Sequence, residues 1–167
     1  DLTSYNDEIS FLAFVAASFM MGYLINAIGS WSYKIIYWSY GGIPSDKILD
    51  GSKFMSIKLI HKKVIKDELI KVETKKTNRK VEEIKNEDLF SIAKSLTSDS
   101  QRIQDLNGMF AFTRSCIILL VFSTIITCLS FKGWLLSGGI GLVSIVLVWI
   151  RSKQYAYYYV REVYSEY

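Results

Sequence analysis

The sequence predicts an all-α integral membrane protein: one N-terminal span, a charged cytoplasmic helical segment, a C-terminal two-span hairpin and a helical tail. Three observations predict it. Half of the 167 residues are hydrophobic and there is a single proline, Pro44, so the chain is rich in spanning material and poor in loop chemistry. Between Arg114 and Arg151 lie 36 residues of which only Lys132 is charged. A further uncharged run extends from Ile9 to Ile28, about one bilayer long.

The 36-residue run is close to twice what one crossing requires, since about 20 helical residues span the hydrocarbon core. Lys132 is followed by Gly133, which tolerates turn backbone angles, and by Trp134, whose ring favours the headgroup layer. Lys132 is therefore expected at a hairpin tip, between a span over Ser115–Phe131 and one over Trp134–Ile150. Buried in hydrocarbon, its ammonium would cost several kcal/mol. The Ile9–Ile28 run has an acidic flank of Asp1, Asp7 and Glu8 and lacks the basic n-region of a secretory signal, so it is expected to be a retained span. Because the chain opens on Asp1, residues preceding it are expected.

Charge sets the orientation. Residues 30–108 hold 15 of the 20 Lys and Arg against 11 Asp and Glu, whereas residues 1–29 hold three acids and no base. The positive-inside rule places the middle segment in the cytoplasm, Lys132 outside, and the tail with Arg151, Lys153 and Arg161 back inside. The expected divisions are 1–40, first span with an interfacial aromatic extension; 41–108, charged segment; 109–154, hairpin; and 155–167, tyrosine-rich tail.

Trp31, Tyr33, Tyr37, Trp38 and Tyr40 crowd into ten residues, the composition of an interfacial belt that continues the first span until Gly41, Gly42 and Pro44 break it. Ser45 or Asp46 is expected to cap a short helix. The stretch from Phe54 onward is expected to be helical to about Lys71, although "ELIKVETKK" alternates as a strand would. Asn86 or Asp88 is expected to cap a helix with Leu89, Ile92, Ala93 and Leu96 on one face. Ser98 or Asp99 is expected to cap the next, which carries Ile103, Leu106 and Phe110 through Arg114 into the second span. Past Ile150 no breaker interrupts the third, so Trp134–Tyr167 is read as one helix of about 50 Å. Its stripe of Tyr155, Tyr158, Tyr159 and Val163, with Arg161 and Glu162 on another side, is expected to meet the middle segment or a second subunit.

No enzymatic chemistry and no cofactor is expected. His61 is the single histidine, which leaves ordinary zinc sites without a ligand set, and Cys116 and Cys128, about 18 Å apart along a helix, cannot bridge each other. No phosphate-binding glycine loop, nucleophile elbow or H-E-x-x-H motif is present. What stands out is charge. Lys62, Lys63, Lys66, Lys75, Lys76, Arg79 and Lys80 fall within twenty residues beside His61. Such a cluster serves as a solvated face, as a dock for anionic lipid, or as a contact for the phosphates of a nucleic acid or nucleotide.

Within the spans, Asn26, Ser123, Thr124 and Thr127 form a modest polar set suited to interhelical bonds or a water path. Arg114 is expected at the cytoplasmic end of its span, either snorkelling to phosphates or serving as a gating or ligand residue inside the membrane. Small residues, including Ala13, Ala16, Ala17, Ser18 and Gly22 in the first span and Gly138, Gly139 and Gly141 in the third, permit close helix approach. Three spans enclose no pathway alone, so a homo-oligomer is expected.

The layout of "FLAFVAASFMMGYLINAIGSWSYKIIYWSYGGIPSDKIL", the charged middle, the "RIQDLNGMFAFTRS" entry to a hairpin and the tail "YAYYYVREVYSEY" resembles the small membrane effectors of bacterial anti-phage systems, that of the Hailong system foremost. The resemblance covers most of the chain in layout and maps no ligand residue by motif. It implies a tetrameric, multi-pass protein of the bacterial inner membrane. It further implies inhibition by single-stranded DNA oligomers made by a partner nucleotidyltransferase, whose loss would depolarise the membrane. Two functions follow as expectations: an oligomeric pore or membrane-disrupting effector under control of a cytoplasmic anionic ligand, or a non-conducting membrane anchor that docks a soluble partner.

Overall fold

The structure, a computed structural model, describes residues 2–50, 57, 59, 61–77, 81, 84–130 and 134–167. The described residues form helices and no strand. They are α1 (Leu2–Trp31), α2 (Tyr33–Ser39), α3 (Pro44–Asp50), α4 (Lys62–Thr77), α5 (Asn86–Leu96), α6 (Gln101–Ser130) and α7 (Trp134–Glu166).

Two of them, Ser10–Trp31 within α1 and Gln101–Ser130, are long and apolar enough to cross a membrane. Their burial separates them from the core helices of a soluble protein: none of the apolar window of the first and 11% of that of the second is covered by protein. The expected turn at Lys132 lies outside the described residues. Helices α6 and α7 nevertheless pair antiparallel along their length, with Cys128 against Gly138, Thr124 against Gly141, Arg102 against Glu162 and Ser100 against Glu166. The spacing at the Thr124 crossing requires glycine, because a Cβ on Gly141 would overlap the Thr124 side chain.

Among the described side chains, α1 meets α6 in its C-terminal third. Ser115 Oγ donates to Asn26 Oδ1 at 3.5 Å, and Gly29 lies against Arg114 and Ile118. From Ser10 to Leu24 every residue is exposed. Ser32 separates α1 from α2 by one residue; its hydroxyl donates to the Ile28 carbonyl at 2.8 Å, sharing that acceptor with its own backbone N–H at 2.9 Å. Gly41 (φ 84°) and Gly42 (φ 126°) supply the left-handed backbone that turns α2 into α3, as the sequence led one to expect.

The opposite end of the α6–α7 pair carries a helical head. Its core joins Ile48 and Leu49 of α3, Leu69 of α4, Leu89, Ile92 and Ala93 of α5 and Ile103 of α6 to Tyr157, Tyr159, Val160, Val163 and Tyr164 of α7. The C-terminal half of α7 is thus the post around which the charged middle folds. The tail does meet the middle segment, but its buried set differs from the expected stripe: Tyr157 and Tyr164 are inside, and Tyr155 and Tyr158 are half-buried. Glu162, expected beside Arg161 away from the packed face, is also buried; Arg102 Nε meets its Oε1 at 2.8 Å and Arg161 Nη2 meets its Oε2 at 3.6 Å.

Five further expectations need correction. Helix α4 begins at Lys62, and the described Ile57 and Leu59 before it are not helical, because His61 has φ 62° and a right-handed helix does not pass through a left-handed residue. At its other end α4 runs to Thr77, six residues past Lys71, and "ELIKVETKK" is helix throughout. The cap of α5 is Lys85, whose backbone N–H donates to Asp88 Oδ2 at 3.3 Å, so Asp88 acts from the third helical position. Helix α6 starts after Ser100, and Leu96, expected on the buried face of α5, is 61% exposed.

Candidate functional site

The residues singled out from sequence fall into three places. At the α4 end of the head, Lys62 and Lys66 are half-buried beside the face that carries Leu69, while Lys63 and Lys75 are exposed. From Lys66 to Lys75 is about 14 Å of helical rise, so the cluster is drawn out along α4 rather than gathered on one patch. Arg79 and Lys80, with the side chain of Lys76, lie outside the described residues.

Along the apolar helices, Thr124 faces Gly141 of the same chain, and Thr127 Oγ1 donates to the Ser123 carbonyl at 2.8 Å. Asn26 accepts from Ser115 across the α1–α6 crossing. These polar groups are spent on contacts within the chain, and one chain encloses no passage between them.

The third place is the junction where the apolar helices enter the head, and it is the most elaborately built. Arg114 lies one turn above Phe110 on α6 and reaches back over its ring at 5.6 Å, the direction that snorkelling requires. Its Nε is buried without a hydrogen-bond partner among the described residues, close to the space left by the missing side chain of Gly29. Phe110 stacks on Tyr37 with centroids 6.1 Å apart and planes 3° from parallel. Tyr40 packs edge-on to Trp149 at 5.8 Å and donates to Ser152 Oγ at 2.7 Å; Trp149 Nε1 donates to Ser39 Oγ at 2.9 Å. Lys153 sits over the Trp149 ring at 5.3 Å, and burial together with Lys47 lowers its pKa. The crowding of tyrosine and tryptophan in residues 31–40 signals this junction in the sequence; its partners on α6 and α7 leave no comparable mark.

Beside the junction opens a cleft of ≈ 620 Å³, within the range of ligand pockets. Tyr33, Tyr37 and Trp38 of α2 form one wall, Phe110, Ala156, Tyr159 and Val160 the floor, and Glu87 and Phe90 of α5 the far rim. Lys34 and Glu87 are its charged residues. Sequence reasoning assigned the α2 aromatics to simple anchoring and missed the cleft, because its floor and far rim come from residues 49 or more positions away. Deeper in the head, Asp46 Oδ1 and the Tyr164 hydroxyl are buried without hydrogen-bond partners among the described residues, and burial raises the pKa of both.

Compared with known protein families, with curated proteins and with solved structures, the chain finds no match.

Proposed function

We propose that the protein is an oligomeric membrane effector whose apolar helices form a pore or disrupt the bilayer, under control of an anionic ligand bound by its charged head. One observation carries this reading. The apolar lengths of α1 and α6 are exposed while the charged helices build a complete core at one end, a division suited to a membrane part and a control part in one chain. The first half of α7 fits a third span, since Leu135, Leu136, Ile140, Leu142, Val143, Val146 and Leu147 are all exposed there. By the charge distribution the head is cytoplasmic.

A single chain encloses no passage, so conduction calls for several copies, and the exposed Ser10–Leu24 length of α1 is the surface with most room for them. The resemblance in layout to the anti-phage effectors supports phage defence as the setting, a tetramer as the assembly and single-stranded DNA oligomers as the ligand class. The alternative, a non-conducting anchor, makes a different prediction. Expressed alone, the effector depolarises its host's membrane and arrests growth; an anchor leaves the potential intact. An unchanged potential on expression, with the protein in the membrane fraction, rejects the effector reading.

A further inference from the structure

We propose that the cleft beside α2 is a binding site for the headgroup of a zwitterionic phospholipid, taking the phosphate at Lys34 and the ammonium at Glu87 and the aromatic wall. The proposal rests on the reading of α1 as a membrane span. Lys34 lies three residues past Trp31, where that span ends, and Trp31 at the end of α1 and Ile35 and Trp38 of α2 are exposed beside it, at 83%, 70% and 81%. These are the residues of a helix lying at the lipid surface.

The cleft runs away from that surface. Tyr40, at the end of α2, bonds to Ser152, whereas Phe90 on the far rim packs edge-on against Tyr159 at 5.9 Å and Tyr164 at 5.8 Å. Seven residues of α7, about 10 Å of rise, separate Ser152 from Tyr159, so Phe90, on the helix that also carries Glu87, meets α7 deeper in the head than the Tyr40 end of α2 does. Its charges follow the same order, basic near the membrane and acidic beyond. A phospholipid presents its own groups in that order: acyl chains, then phosphate, then ammonium.

The wall between the two charges suits this ligand. Ring faces attract an organic ammonium through their quadrupole, and a carboxylate beside them adds direct charge attraction. A purely anionic lipid would meet Lys34 with equal gain and then meet Glu87 with repulsion. The cleft therefore discriminates by headgroup, with Glu87 as the residue that sets the preference and Lys34 as a contact common to all phospholipids.

The test uses the full-length protein, purified in detergent, delipidated and titrated with phosphatidylethanolamine or phosphatidylglycerol of identical chains, with bound lipid counted by native mass spectrometry. Wild type is expected to retain the ethanolamine lipid about tenfold better. Glu87→Gln, at an exposed position, should abolish the preference; Trp38→Ala should weaken the ethanolamine lipid about five- to tenfold; Lys34→Gln should weaken both lipids alike. Equal retention of the two lipids by wild type, or a preference that survives Glu87→Gln, overturns the site. Tighter binding of soluble phosphoethanolamine than of the lipid overturns the lipid as occupant. Recovery of the protein without detergent, in the soluble fraction, would instead reject the span reading itself.

Discussion

Tyr40 and Ser152, 112 residues apart, share a buried hydrogen bond of 2.7 Å that fastens the end of α2 to α7 at the base of the apolar helices. The bond is directional in its energetics. Removing the acceptor with Ser152→Ala leaves the Tyr40 hydroxyl buried and unpaired, and should cost about 2 kcal/mol. Tyr40→Phe should cost about 1 kcal/mol, because the Ser152 hydroxyl can turn back to its own helix's carbonyls. The double variant should lose less than the sum of the two. Thermal unfolding of the detergent-solubilised protein, run as a double-mutant cycle, measures the coupling, and strict additivity would remove it.

Asp46 provides a pH prediction. Burial, then Glu87, then Asp50 raise its pKa above 3.8, while Ser45 and Lys66 pull the other way. A carboxyl whose pKa is raised by folding contributes stability that is fully present below its unfolded pKa and is lost as pH rises through the folded value. At pH 7 the charged form therefore burdens the head. Asp46→Asn should raise the melting temperature at pH 7 and lose that advantage near pH 4. A variant less stable than wild type at pH 7 would show that Asp46 holds a contact the charge argument omits.

The α6–α7 crossing makes a paired prediction. Gly141→Ala drives a methyl into Thr124 and should destabilise the hairpin by about 1–3 kcal/mol. Thr124→Ala in the same chain removes the obstructing atoms and should restore much of the loss. Gly139→Ala, which meets nothing within 4 Å, should leave the chain's melting temperature unchanged or slightly raised. Loss of stability in Gly139→Ala equal to that in Gly141→Ala would mean that the crossing is not where the structure puts it.

How much of this could be read from the chain depends on the range of the signal. The apolar runs, the unbroken α6 and α7, and the Gly41–Gly42 turn are local properties of composition and backbone, and the structure agrees with each. The inward turn of Glu162 is not local: it depends on Arg102, sixty residues earlier, and a carboxylate beside Arg161 reads in sequence as surface. Tyr157 and Tyr164 were overlooked for a similar reason, since a tail so rich in tyrosine offers several equivalent stripes and only the partners on α3–α5 select one. The start of α4 was hidden by His61, because a left-handed backbone at a non-glycine residue has no signature in composition.

Because the tail is a post of the head, its removal should act there first. A chain ending at Lys153 loses Tyr157, Tyr159, Val160, Val163 and Tyr164 from the core and should expose α3–α5 to limited proteolysis. Val163→Ala should give a milder form of the same effect, about 1–3 kcal/mol, since the side chain is fully buried. A protease-resistant head in the truncated chain would show that α3–α5 fold without α7.

The last prediction concerns control by the basic cluster. Lys63 and Lys75 are exposed, but they stand about 18 Å apart along α4, too far for one compact anion and well suited to an extended one. Each phosphate contact made by a single-stranded ligand should contribute about −0.7 to the slope of log affinity against log salt, so Lys75, Lys76, Arg79 and Lys80 replaced together by Gln should flatten that slope by up to about 3. A solvated face or a lipid dock has no such dependence on an oligonucleotide. If the ligand restrains the effector, the same quadruple variant should be constitutively toxic and should depolarise the membrane, because the apolar helices are untouched. Lys62, Lys63 and Lys66 replaced by Gln separate the two halves of the cluster in sequence: loss of binding in one set and not the other fixes the half that the ligand needs. Normal growth together with unchanged oligonucleotide binding in both sets would remove α4 as the regulatory surface, and restraint would then have to come from contacts between the head and the membrane itself.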